Sequence, residues 1–260
     1  MTITRLRAFT LHLIISSTIF LLFLAIMFFV WYPPPYFEVD GGWQVLQIVA
    51  GVDLVLGPLL TLILFKPGKP GLKFDMTCIA LMQIAAIVYG GKVIYQEHPA
   101  FVVFGVDRFS SIPTADIEFD KLKYPELKRS FGIGPLLAQT RLPDDSKLRE
   151  QLLFAVLEGE KDVEYRAEFY EPYKPDLSAM RSRSIPIQKI AASDAMAKAK
   201  IAAFLAQQGG QIDDYLYFPL KGKNKDMVMA LSARDGMPAG FISINPWLSE
   251  YPRKPQQTPP

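Results

Sequence analysis

The chain has 260 residues, half of them apolar, and 28 Lys and Arg against 26 Asp and Glu. That near balance leaves no basic stripe of the kind nucleic acid needs. The single cysteine, Cys78, excludes a disulfide framework and any metal site built from paired thiols.

The apolar residues gather in three runs near the N-terminus. Residues 9–32 (FTLHLIISSTIFLLFLAIMFFVWY), about 46–65 (LQIVAGVDLVLGPLLTLILF) and about 74–94 (FDMTCIALMQIAAIVYGGKVI) each reach the roughly 20 residues a helix needs to cross a bilayer. The first run is too long for a signal-peptide core and no small-x-small cleavage site follows it, so it reads as an uncleaved span. Arg5 and Arg7 precede the first run, and Lys66, Lys69 and Lys73 lie between the second and third. The loop between the first two, PPPYFEVDGGW, carries Glu38 and Asp40 and no basic residue. Basic residues stay cytoplasmic, which puts the N-terminus inside and the chain after the third span outside, in the periplasm of a Gram-negative cell. Trp31, Tyr32 and Trp43 are expected at the outer interface, where aromatic rings favour the headgroup level.

The expected organisation is a three-helix transmembrane region over 1–97, a periplasmic α+β domain over 98–250 and a disordered tail over 251–260. The outer domain, about 160 residues, is large enough to bury its own core. AFVVFGVDRF reads as a strand, SIPTADIEF as a second extended piece, and DKLKYPELKR as at most a broken helix because of Pro125. Residues 145–158 place Leu148, Leu152, Val156 and Leu157 on one helical face, with Asp144 or Asp145 to cap the start and Gly159 the end. VEYRAEFY alternates like a half-buried strand, and EPYKPDLSAMRSRSIP reads as loop. Ser193 is the expected cap of a helix running to about Gln207, with Gly209 and Gly210 behind it. Three strand candidates close the chain: DYLYFPL, DMVMALSA and AGFISIN. The turns between them hold Lys-Gly-Lys-Asn-Lys and Arg-Asp-Gly-Met-Pro, so the ending reads as a C-terminal antiparallel meander.

No catalytic constellation is visible. There are two histidines, His12 and His98, and no zinc-binding His pair, Gly-x-Ser-x-Gly, Walker loop or paired cysteines. No catalytic residue, cofactor or metal is expected, and both histidines read as interfacial polar anchors. Asp53 is the informative residue. It lies about twelve residues, roughly 18 Å, from Lys66 and near the middle of the second span. An ionised carboxylate there is costly, so it needs a proton or a partner on a neighbouring helix. Ser16, Ser17, Thr18 and Gln83 lie at comparable depth. Gly51, Gly57 and Pro58 flank it; small residues allow close helix approach and Pro58 frees a carbonyl one turn back. Asp53, Gly57, Pro58 and Gln83 are therefore the candidate set, either as a contact for another protein's transmembrane helix or as a clasp between the three spans. An aspartyl dyad with Asp75 fails on depth, since Asp75 is at the cytoplasmic interface. Asp75 reads as the cap of the third span.

The run VDLVLGPLLTLILFKPGKPGLKFD, then MQIAAIVYG, then HPAFVVFGVDRF, resembles the TfpX/TfpZ family of type IV pilin accessory proteins. The likeness is strongest over about residues 43–112; in the outer domain it lies chiefly in the terminal GFISINPW. The resemblance implies an inner-membrane accessory protein or chaperone that assists type IV pilus assembly by acting on its cognate major pilin. The implied partners are that pilin, through its membrane helix and periplasmic head, the lipid bilayer, and other inner-membrane components of the pilus. The family supplies no catalytic residues. On this reading the candidate set holds the pilin helix, and an exposed strand edge of the C-terminal meander meets the pilin head. Two other classes fit the sequence less well. A membrane-anchored periplasmic ligand-binding or sensor protein would need a cytoplasmic output domain, and a pilin-modifying enzyme would carry many more spans or clustered acids and histidines.

Overall fold

The computed structural model describes residues 4–128, 134–143 and 145–247. The chain forms two compact units. One runs to Phe37 and resumes over Gly41–His98; the other joins Glu38–Asp40 to the described residues from Pro99 onward. The tail at 251–260 and Asp144 lie outside the described residues.

Three helices, Arg5–Trp31, Trp43–Leu64 and Leu72–Glu97, are long and apolar enough to cross a membrane by length and composition. Their burial is inverted relative to a water-soluble bundle. Leu21, Leu22, Ile48 and Val88 point outward, while Ser16, Asp53, Thr61 and Gln83 are buried. The apolar part of the interior is Phe20, Phe23, Met27, Tyr32, Leu46, Val49 and Ile94. Gly90 brings the second and third helices together: a Cβ there would stand 2.3 Å from Val49 Cγ2. Tyr32 is 1% exposed: its hydroxyl donates to the Ile94 carbonyl at 3.2 Å and its ring fills the interior. The second helix widens into a π turn over Gly51–Leu56, where the Gly57 N–H reaches back to the Val52 carbonyl. Pro58 offers no N–H to continue the α ladder, and the π turn re-partners the backbone just before it.

The second unit is a mixed sheet of seven strands among the described residues: β1 (Pro99–Phe104), β2 (Phe109–Pro113), β3 (Leu136–Thr140), β4 (Tyr170–Pro172), β5 (Tyr215–Lys221), β6 (Met227–Ser232) and β7 (Pro238–Ile242). Their order is β4-β3-β1-β2-β5-β6-β7. β1 pairs antiparallel with β2 and parallel with β3, while β5, β6 and β7 form the expected antiparallel meander. The halves meet at a short parallel seam, Phe109 with Leu220 and Ser110 with Lys221. Each half has its own core. Ile187, Ile190, Ile201 and Phe204, from the helices Ile187–Ser193 and Ala195–Gln208, pack on Tyr217, Val228, Ala230 and Ile242. Phe101, Val103, Ile112, Leu122, Leu127 and Tyr170 fill the other.

Four local expectations need correction. Residues 163–169 hold two 3-10 turns, Val163–Tyr165 and Ala167–Phe169, and only Tyr170 at the start of β4 is in a strand. Their buried residues Glu164, Ala167 and Tyr170 recur every third position, the 3-10 period and not the strand period. The supposed loop 171–186 contains most of β4 and a helix, Leu177–Arg183, capped by Asp176 through the N–H groups of Ser178 and Ala179. Ser193 ends the preceding helix by donating to the Lys189 carbonyl at 2.9 Å, and Asp194 is the cap that accepts from Met196 and Ala197. The helix Ser146–Leu157 is capped by Asp145 as expected, yet Leu148 (40% exposed) and Leu157 (73%) on its apolar face stay open.

Glu38–Asp40 are built into this second unit. Val39 is fully buried, and its carbonyl accepts the N–H groups of Asn224 (2.9 Å) and Lys225 (3.1 Å) in the β5–β6 turn. Asp40 accepts the Ser111 hydroxyl at 2.7 Å, and Glu38 accepts the Ser243 hydroxyl at 2.7 Å and the Lys225 ammonium. The Lys225 ammonium, then Ser243, hold the Glu38 carboxyl below its ordinary range. Glu38 therefore contributes above the unfolded carboxylate pKa, and that contribution fades as pH falls through the depressed folded value. Gly222 makes room for Val39: a Cβ would stand 2.1 Å from Val39 Cγ1 and 2.6 Å from its carbonyl oxygen. Gly222→Val should cost about 2 kcal/mol or more, since neither backbone can yield freely. A lowered melting temperature of the second unit in detergent-solubilised full-length chain checks this.

Candidate functional site

The buried polar residues of the helical unit form one connected cluster. Gln83, on Leu72–Glu97, is its hub. Its amide nitrogen donates to Ser16 Oγ on the first helix and to the backbone carbonyl of Asp53 on the second, each at 3.2 Å. A carbonyl only accepts, so that contact fixes which end of the Gln83 amide is nitrogen. Gln83 Oε1 therefore accepts, and its partner is His12 Nε2 at 2.7 Å. The other His12 nitrogen, Nδ1, meets Thr61 Oγ1 at 2.5 Å. Thr61 also lies 3.2 Å from the Gly57 carbonyl one turn back. All three helices are tied through one side-chain amide.

Gly57 is required here by space. A Cβ would stand 2.2 Å from Gln83 Nε2, so any larger residue displaces the hub. Pro58 is buried beside it and follows the π turn that carries Asp53. Asp53 itself is 1% exposed, and neither carboxylate oxygen has a hydrogen-bond partner among the described residues. The cluster thus brings Asp53, Gly57, Pro58 and Gln83 together, but it is the Asp53 carbonyl and not its carboxylate that Gln83 holds.

Of the other polar residues at that depth, Ser16 joins the cluster and Thr18 does not; Thr18 is exposed and donates to the Ile14 carbonyl of its own helix. His12 is a correction. It is not an interfacial anchor but a bridge, with both ring nitrogens engaged. Thr61 escaped the sequence reading too. A signal existed: Gly57 and Thr61 are four apart, on one helical face, and His12 and Ser16 share the same spacing. Asp75 is a second correction. Gly71, with φ of 81°, caps the third helix, and Asp75 lies inside its first turn paired with Lys69 at 2.6 Å. His98 closes that helix by a contact with the Tyr95 carbonyl and stacks on the Tyr95 ring at 4.8 Å; burial pushes its imidazole below the ordinary range.

Besides Asp40, the described residues of the second unit bury Glu164, 7% exposed beneath Gly105. Desolvation, then the Asp162 charge, pushes its carboxyl up. Burial likewise pushes the Tyr217 phenol up to about 12, and its hydroxyl donates to the Ile212 carbonyl at 3.0 Å. These are structural placements. Among the described residues no group of three or more His, Cys, Asp or Glu is arranged to hold a metal ion.

The family described as "Fimbrial assembly protein FimB" matches residues 2–41, which cover the first helix and the Glu38–Asp40 segment. The fimbrial assembly protein of Dichelobacter nodosus serogroups C1 and C2 is 37% identical over 115 residues, spanning 87% of that protein and 43% of this chain. The chain belongs to the fimbrial assembly protein family. Two longer members, from serogroups I and E1 of the same organism, are each 28% identical over 216 residues, covering 81% of this chain and 83% of the relative. No solved structure matches.

For this family member, the dependence of the cluster on Gly57 is directly testable. Gly57→Val should displace Gln83 and break the hub's contacts to the first and second helices, lowering the chain's melting temperature in detergent. Gly51→Ala, six residues earlier with open space around it, should leave the melting temperature unchanged. Parallel melts of the two variants check it.

Proposed function

We propose that the chain is an inner-membrane accessory protein or chaperone of type IV pilus assembly, of the TfpX/TfpZ kind, that stabilises or delivers its cognate major pilin. The observation that carries this reading is family membership: the matched relatives are named fimbrial assembly proteins. The two-unit construction suits the role. A pilin has a helix in the membrane and a head outside it, and a helper with a helical unit and an outer domain touches both. Two linked weak contacts raise effective concentration without one tight site. The intramembrane contact lies around Asp53, Gly57, Pro58 and Gln83. The outer contact is placed at the C-terminal meander, whose last strand in the sheet order is β7. No part of the role calls for a catalytic residue.

In this reading the three long helices cross the inner membrane. The outward-facing leucines and inward-facing polar groups support an apolar solvent around the bundle. Orientation is N-terminus inside and second unit in the periplasm. That Glu38–Asp40 form part of the second unit supports it: a three-span chain puts the first loop and the segment after the third span on one side. The basic residues Arg5, Arg7, Lys66, Lys69 and Lys73 fall on the other.

Two measurements test the proposal. In a Cys78→Ser background, Lys198→Cys should react with an impermeant maleimide on intact spheroplasts and Pro70→Cys only after lysis; the reverse pattern sinks the topology. Deletion of the gene should remove surface pilin at unchanged pilin transcript. Retained unassembled pilin identifies delivery as the step, vanished pilin identifies stabilisation, and normal pili remove the function altogether.

A further inference from the structure

The carboxyl ends of the parallel pair β1 and β3 open on a cleft. Gly105, Gln139, Thr140 and Arg183 line both a cavity of about 320 Å³ and its neighbour of about 440 Å³, so the two are continuous. The second runs on through Arg141, Leu142 and Glu171 into a third, of about 290 Å³, that reaches Leu148. Two parallel strands that end side by side leave such a crevice where the chain turns away from both.

The first cavity is rich in donors and cationic. Lys174 and Arg183 both line it. The Lys174 N–H donates to Gln139 Oε1 at 3.1 Å, and Arg183 Nη1 donates to the Val106 carbonyl at 2.8 Å. Neither the Lys174 ammonium nor the Arg183 guanidinium pairs with a carboxylate among the described residues. The acids nearby are committed elsewhere. Asp176 Oδ1 accepts the N–H groups of Ser178 and Ala179, and Glu171 Oε1 accepts the Tyr124 hydroxyl at 3.1 Å beside Arg141. Gln139 uses its oxygen on the Lys174 N–H, which leaves its NH2 group to donate. Past Arg141 the cleft turns apolar. Leu142 is 39% exposed and Leu148 40%, so an apolar side chain laid there covers surface that the fold leaves in water.

We propose that the cleft binds an extended peptide segment, with a carboxylate of that segment at Lys174 and Arg183 and an apolar side chain at Leu142 and Leu148. A guanidinium offers a carboxylate two parallel donors, and an ammonium lining the same cavity adds charge. A free oxyanion would fill the first cavity alone, whereas a chain spans from the cations to the leucines. The proposal goes beyond the accessory reading and does not depend on it. The cleft lies in the other half of the sheet from the meander, and its occupant is defined by an acid and an apolar residue in one extended chain.

The test uses full-length chain in detergent and short Ala/Ser peptides with both ends blocked, a neutral fluorophore, and one Asp and one Leu at different separations. At least one should bind by fluorescence anisotropy. Its Asn counterpart should bind about tenfold more weakly or worse, the loss of one charge-assisted contact. The double variant Lys174→Gln, Arg183→Gln should weaken binding as much at an unchanged melting temperature, since both side chains are exposed, and Lys198→Gln should not weaken it. Lys174→Gln alone removes no side-chain contact within the described residues, so it should weaken binding in the same direction even if the double variant melts early. Equal affinity for Asp and Asn peptides, binding untouched by these variants, or no binding by any peptide of the set overturns the carboxylate site. If the leucine makes no difference and inorganic phosphate displaces the peptide, the cavity takes a free oxyanion and the peptide is overturned.

Discussion

The helical unit depends on one side-chain amide. Gln83 joins the first helix through Ser16 and His12 and the second through the Asp53 carbonyl, and Gly57 exists where its head group needs the space. In an apolar surrounding, dispersion alone distinguishes poorly between helix registers, whereas a polar hub with fixed donors and acceptors has one solution. Sliding the second helix by one residue would put a side chain against Gln83 and leave its amide unsatisfied. The packing of Gly90 against Val49 and the hydroxyl of Tyr32 on Ile94 then follow from a register already set.

The second unit is anchored by a different device. Val39, in the loop between the first two helices, is buried under Gly222 and held by two backbone N–H groups of the β5–β6 turn, with a carboxylate on either side reaching Ser111 and Ser243. The loop between the first two helices is therefore part of the folded sheet domain and not a free connector.

Much of this was legible in the sequence, for physical reasons that can be named. The three apolar helices followed from length and composition, and the meander followed from short aromatic and aliphatic runs separated by lysine-rich and Asp-Gly turns. The mixed half of the sheet did not. β3 is a short strand of weak pattern, LLAQT, and its parallel partner β1 is separated from it by 3-10 turns that carry no helical period. Val163, Tyr165, Ala167 and Phe169 imitate strand alternation, while the buried positions Glu164, Ala167 and Tyr170 keep a period of three. At the candidate site, Asp53, Gln83 and Ser16 were legible as polar residues at one depth. His12 and Thr61 were not, because a residue near a span end reads as interfacial until its bonding partners are seen. That Gln83 takes the backbone of Asp53 and leaves the carboxylate open is geometry no pattern encodes.

The most direct test of the polar hub is a measurement on the Gln83 side chain itself. With selective nitrogen labelling of glutamine in full-length chain in lipid nanodiscs, amide hydrogen exchange resolves each side-chain NH2 group. The account predicts that the Gln83 NH2 protons exchange far more slowly than those of exposed Gln208 and show proximity to Ser16. Exchange of Gln83 at the rate of Gln208, with no contact to the first helix, would contradict it.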